Sequence, residues 1–210
     1  VAEAHKRDFV WPAALAERHG RGAGRARDLE AVVRAVKPTV LVGVSGQPGM
    51  FTEAVIRAMA AQTAQPIVFP LSNPTSKAEA APADVLRWTG GRALVATGSP
   101  FEPVTIGDRT FRIGQVNNAF VFPGLGLGVL ASGAREVTDG MFAAAADRLA
   151  AEVGPDDLAS GALLPRQSRL RSVEEAVAAA VVRQAREEGV GRPVPDDAIF
   201  AAVRAWMWDP

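Results

Sequence analysis

The sequence predicts an α/β fold, an open parallel sheet followed by C-terminal helices, on three observations. The runs TVLVGV (39–44), PIVFPL (66–71) and RALVATG (92–98) are apolar and β-branched without polar alternation, as in strands buried on both faces of a parallel sheet. They recur with helix-like segments between them at a period of about thirty residues, which is that of a βαβ unit with its right-handed crossover. From residue 104 onward the strand-like runs give way to helical patterns.

Taken in order, residues 1–27 read as loop, because RHGRGAGRAR (18–27) offers Gly and Arg without apolar periodicity. Its GRGAG lacks the preceding strand and following helix that a dinucleotide fingerprint needs, so a flexible basic loop is expected. Asp28 caps a short helix, LEAVVRAVK, with Leu29, Val32, Val33 and Val36 at helical spacing, and Pro38 ends it. After the first strand come a tight turn, Ser45 to Gly49, and the helix TEAVIRAMAAQ with Thr52 as N-cap. The second strand leads into the turn SNPTSK and one or two helical segments in AEAAPADVLRW; the third leads into SPFEPV. VTIGDRTFRIGQ reads as a hairpin or loop with Gly107-Asp108 at its tip. VNNAFVFPGLGLGVLASGA reads as an apolar helix interrupted early by Pro123 and Gly124. TDGMFAAAADRLAAEV and VEEAVAAAVVRQAREEG are amphipathic helices, the latter closing on Gly189, and DDAIFAAVRAWMW is a last helix. The expected organisation is a sheet-bearing part, 1–135, with a helical region, 136–210, packed on it and no second core large enough to stand alone.

Composition narrows the function classes. The 210 residues carry 23 basic and 23 acidic side chains, so no global field draws the chain to nucleic acid or anionic lipid. The apolar segment from Ala119 to Ala131 is too short to span a bilayer and contains Pro123, Gly124, Gly126 and Gly128. There is no Cys, which excludes disulfides, thiolate metal sites and a Cys nucleophile and is compatible with a cytoplasmic location. The N-terminus, VAEAHKRDFVW, lacks an initiator Met and a signal-peptide core, and reads as a cut or processed end. With no Tyr and with His only at positions 5 and 19, acid–base chemistry over most of the chain is left to Lys, Asp and Glu.

The strand ends VSGQPG, LSNPT and TGSPF fall on one edge of such a sheet, its carboxyl edge, where ligands bind. Ser45, Ser72, Asn73, Thr97 and Ser99 supply hydroxyl and amide groups for a neutral polar ligand or a carboxylate. Turn chemistry alone also favours Gly, Ser, Asn and Pro there. Asn117-Asn118 precede an apolar helix; one Asn suffices as a cap, leaving the second free to offer its amide to a carboxylate or carboxamide.

Together, VLVGVSGQPGMFTEAVIRAMA, PIVFPLSNPTSKAEAAPADVL, ALVATGSPFEPV and FRIGQVNNAFVFPGLGLGVLASGAREVTDGMFAAAADRLA resemble the C-terminal part of malic enzyme, in that family's order and spacing, from about Phe9 to the C-terminus. The resemblance implies a Rossmann-like sheet, the second half of an NAD(P)-binding domain, and oxidative decarboxylation of malate to pyruvate with NAD or NADP and Mg2+ or Mn2+. It implies that Asn73 and Asn118 contact malate. It also implies that Val44, Ser45, Gly46, Leu71, Ser72, Asn73, Gly98 and Asn117 line the cofactor cleft, and that the intact enzyme is a homo-oligomer.

The family's Tyr/Lys acid–base pair, metal ligands, phosphate-binding Gly motif and ribose-reading acid match nothing in this sequence. Lys6, Lys37 and Lys77 fall in no catalytic block, and Asp156-Asp157 and Asp196-Asp197 read as helix-start charges. No catalytic or metal residue is therefore assigned. The chain is expected to be a fragment, inactive alone, whose sheet has an unprotected edge unless it pairs with the missing segment. The alternative is a non-catalytic module binding a dinucleotide or a carboxylate.

Overall fold

A computed structural model describes residues 4–22 and 28–208. The three runs form parallel strands β1 (Val40–Gly43), β2 (Ile67–Pro70) and β3 (Leu94–Thr97), with Val40 opposite Ile67 and Ile67 opposite Leu94. An antiparallel hairpin follows, β4 (Val104–Ile106) and β5 (Arg109–Phe111), turned at Gly107 with φ +60°. The segment after it, expected only as hairpin or loop, adds a fourth parallel strand, β6 (Gly114–Gln115), beside β3. The strand order is β1-β2-β3-β6, each new strand adding on the same side.

Helices α1 (Ala13–Arg18), α2 (Leu29–Val36), α3 (Glu53–Ala60) and α4 (Pro82–Trp88) accompany the sheet. Asp28 Oδ1 accepts from Ala31 N at 2.9 Å and Thr52 Oγ1 from Val55 N at 3.3 Å, so both expected caps form. The N-terminal stretch expected as loop instead contains α1 and a 3-10 helix, Ala4–Phe9. These elements are six residues long and sit beside a Gly- and Arg-rich stretch, so no apolar period marks them. Of GRGAG, positions 23 and 24 lie outside the described residues.

β1 departs from expectation in a second way. It is an edge strand, and Val40, Val42 and Val44 are 45%, 52% and 79% exposed. Only Leu41, on the other face of the pleat, packs against the sheet core with Val33, Val55, Ile56, Val68, Val85 and Val95.

Beyond β6, a 3-10 turn (Asn118–Phe120) leads into α5 (Phe122–Ser132), in which Pro123 sits in the first turn and so starts the helix rather than interrupting it. α6 (Asp139–Ala151), α7 (Pro155–Ala159), α8 (Leu170–Glu187) and α9 (Ile199–Arg204) complete the chain. α8 ends before Gly189, whose φ of +68° provides the left-handed exit. The helices carry buried clusters of their own, one around Phe120, Met141, Val177 and Val181 and another around Ala178, Val182, Ile199 and Val203. No helix among the described residues is long and apolar enough to cross a membrane.

Candidate functional site

The turns after β1 and β2 are joined by one side chain. Glu79 is fully buried and directs its carboxylate between them. Oε1 accepts from Ser45 N at 2.7 Å, from Ser45 Oγ at 2.8 Å and from Ser72 Oγ at 2.5 Å, while Oε2 accepts from Ser72 N at 3.3 Å. Ser72 Oγ in turn accepts from Gly46 N at 2.8 Å, closing the link from the β2 turn back to the β1 turn. Burial pushes the Glu79 carboxyl up, but the hydrogen bonds from Ser72 and Ser45 outweigh it and hold the group below its ordinary value of 4.5. The hydroxyls of Ser45 and Ser72, expected to face a ligand, therefore serve this internal carboxylate. Gly43 makes room for it: a Cβ there would lie 2.7 Å from Glu79 Cδ and from Phe51 Cζ.

The next turn joins the same group. Ser99 Oγ donates to Asn73 Oδ1 at 2.5 Å, and the buried Thr97 Oγ1 donates to Ser99 O at 2.8 Å. Asn73 is exposed and precedes a cis peptide to Pro74; the Ser99 hydroxyl holds its Oδ1, and its Nδ2 has no hydrogen-bond partner among the described residues. Gly98 packs against the Leu71 carbonyl, where no Cβ would fit, and beside Asn73 Nδ2. Val44, Ser45, Gly46, Leu71, Ser72, Asn73 and Gly98 thus come together at the carboxyl edge.

β6 carries Asn117 and Asn118 to the same edge, with Val116 N donating to Thr97 O at 2.8 Å. Gln115 Nε2 donates to Gly98 O at 3.1 Å and ties the two strand ends. Asn117 Oδ1 accepts from Ala119 N at 3.0 Å, so Asn117 is the cap. The Asn118 side chain is exposed and has no hydrogen-bond partner among the described residues. An open cavity of about 350 Å3 adjoins this corner, lined by Pro100, Phe101, Gln115, Phe120 and Arg166 among others.

The acidic pairs do start helices, as expected, but with further partners. Asp157, in the first turn of α7, is buried and paired with Arg112 at 2.9 Å. Asp196 meets Arg186 at 3.1 Å and Arg183 at 3.5 Å. Among the described residues no three His, Asp or Glu side chains come together as a metal ion requires. Sequence reasoning missed Glu79 and Gln115; a Glu in the otherwise apolar AEAAP stretch is the only sign of the first.

The family model for the malic enzyme NAD-binding domain matches residues 3–186. The chain belongs to the malic enzyme family. It is 53% identical over 180 residues to the NAD-dependent malic enzymes of Shewanella denitrificans and Shewanella baltica, a match covering 85% of this chain and 32% of each of those proteins. The chain therefore spans about a third of the length of these malic enzyme relatives. The crystal structure of malic enzyme from Pyrococcus horikoshii superposes with a TM-score of 0.65 at 27% identity, covering 84% of this chain and 36% of that one. The parallel sheet with its helices matches the malic enzyme NAD-binding domain fold up to residue 186, and α9 lies beyond the matched residues.

Proposed function

We propose that this chain is the part of an NAD-dependent malic enzyme that holds malate against the nicotinamide ring at the carboxyl edge of its sheet. The observation that carries the reading is the pair of exposed carboxamides, Asn73 and Asn118, brought to one edge beside the 79% exposed Val44. Neutral amide donors can hold a substrate carboxylate without adding a competing full charge. Val44 offers an apolar contact for a flat ring, and Gly46, with nothing within 4 Å of where a Cβ would lie, leaves room beside it. In this reading Asn73 and Asn118 bind malate, while Val44, Ser45, Gly46, Leu71, Ser72, Asn73, Gly98 and Asn117 line the cofactor cleft.

Bound NAD supplies the hydride acceptor for oxidation of malate at C2, and the overall reaction gives pyruvate, carbon dioxide and NADH. The contribution of this chain is orientation. We read the acid–base groups and the ligands for Mg2+ or Mn2+ as lying on parts of the enzyme outside this chain. Residues 1–135 form the cofactor-binding part and 136–210 the helical region packed on it. The cysteine-free composition suits a cytoplasmic location, and family membership favours a homo-oligomer for the intact enzyme. The relatives' name favours NAD over NADP.

The experiment is a graft in which this chain replaces the matching third of the Shewanella denitrificans enzyme, assayed by malate-dependent NADH absorbance. The graft is expected to turn over and the chain alone to be silent. Asn118→Ala in the graft should lower kcat/KM for malate by a factor corresponding to about 1.5–3 kcal/mol of transition-state stabilisation, the worth of a hydrogen bond to a charged group. A folded graft that binds NAD without turnover would favour the non-catalytic module instead. Unchanged malate kinetics in Asn118→Ala would remove that residue from the site.

A further inference from the structure

We propose that Glu79 is a positioning residue for the cofactor cleft, its buried carboxylate setting the spacing between the Ser45-Gly46 and Leu71-Ser72-Asn73 turns. The inference rests on the reading of that edge as the cleft, and it deepens that reading by naming what fixes the cleft's shape.

Three features separate Glu79 from an ordinary buried carboxylate. Among the described residues it pairs with no cation; its partners are two amides and two hydroxyls, all on the two turns. Those turns belong to adjacent strands, and the Ser45 partner is 34 residues distant in sequence, so the carboxylate acts between elements and caps neither. Ser72 also accepts from Gly46 N and directly precedes Asn73, so the placement of Ser72 carries over to the exposed carboxamide.

The geometry of the carboxylate is what the arrangement uses. Two acceptor oxygens satisfy four donors without presenting a donor of their own. A Gln at the same position keeps the shape but turns an NH2 group towards one of those donors, most directly Ser72 N, which now meets the acceptor Oε2. The turns can then stay together only by leaving buried donors unpaired. Gly43 shows how closely the backbone has been brought to this side chain, since any larger residue there would strike it.

The test is Glu79→Gln, with Ser72→Ala as a milder second variant, made in the 210-residue chain and in the graft. In the chain, amide hydrogen exchange at Ser45, Gly46 and Ser72 should quicken about tenfold in Glu79→Gln, with Val68 and Val95 unchanged. In the graft, KM for NAD should rise about tenfold, while inhibition by ADP-ribose, the same dinucleotide without nicotinamide, keeps its Ki. Should Glu79→Gln fail to fold, Ser72→Ala carries the test, with the same direction and a smaller rise. Unchanged exchange at the two turns overturns the proposal, as does a parallel loss of NAD and ADP-ribose affinity, which marks general damage. A graft inactive with Glu79 intact would sink the proposed function instead, and the exchange data on the chain would still decide whether Glu79 sets the turns.

Discussion

A buried carboxylate costs several kcal/mol unless donors meet its oxygens, and four donors from Ser45 and Ser72 meet those of Glu79. The sign of its pH dependence follows. A carboxyl held below its ordinary 4.5 in the folded chain contributes stability that is present above that pH and is lost as pH falls through the lower folded value. Urea unfolding of the chain at pH 7 and at successive values below 4.5 should therefore show the wild type losing stability more steeply than Glu79→Gln; equal slopes would mean that the carboxyl is not held in its charged form. At this scale the sequence displays ligand-facing residues better than the groups that hold them. Asn73 stands out because it falls in one of three successive polar strand ends, and Asn118 because Asn117 already suffices as the cap. Glu79 does not, because a Glu among alanines before a helix reads as an ordinary helix-start residue, and only the fold brings it to Ser45. The hydroxyls of Ser45 and Ser72 are likewise committed to a partner that no local pattern reveals.

Close approach decides the pairing of α5 with α8. Two of the α5 glycines face the partner helix: a Cβ on Gly124 would lie 2.8 Å from Val177 Cβ, and one on Gly128 would lie 2.6 Å from Val181 Cβ. Gly126, on the far side, has nothing within 4 Å of where its Cβ would be. The two positions should then respond with opposite sign to the same change. Gly126→Ala gains helix propensity of up to about 1 kcal/mol. Gly128→Ala gains the same propensity but drives a methyl into a β-branched neighbour with no room to yield, and overpacking of that kind costs about 1–3 kcal/mol. Denaturant midpoints at constant m-value would measure both; stabilisation by Gly128→Ala would mean that the helices are not in contact there. The sequence shows α5 as apolar and glycine-rich but leaves open which glycines face a partner, because an apolar helix has no polar face to orient it. α8 was legible for the opposite reason: it alternates Val and Ala with Arg, Gln and Glu at helical spacing, whereas β6, only two residues long, is too brief for any period to register.

At the scale of the molecule, the sheet ends on one side in the two-residue β6, with Leu163 and Leu164 packed beside Gly114, and on the other in the exposed β1. β3 is covered and its β6 neighbour is in place, but β1 presents an unpaired edge among the described residues, and Val40, Val42 and Val44 stand exposed along it. The apolar pattern of β1 is therefore that of a buried strand in a chain that leaves it bare, which is why the expectation of burial on both faces fails here. In the proposed full-length enzyme the remaining two thirds of the polypeptide would be available to cover it. Alone, such an edge is a template for pairing with another copy. The isolated chain should accordingly show concentration-dependent association by sedimentation velocity, and Val42→Lys should weaken it, because a charged side chain must be desolvated when two edges meet. Val42 is 52% exposed, so the substitution should leave thermal stability within about 0.5 kcal/mol of the parent. Association unchanged by Val42→Lys would place the self-contact elsewhere, the exposed apolar cluster of Phe122, Leu130, Val137 and Phe142 being the next surface to probe with the same substitution.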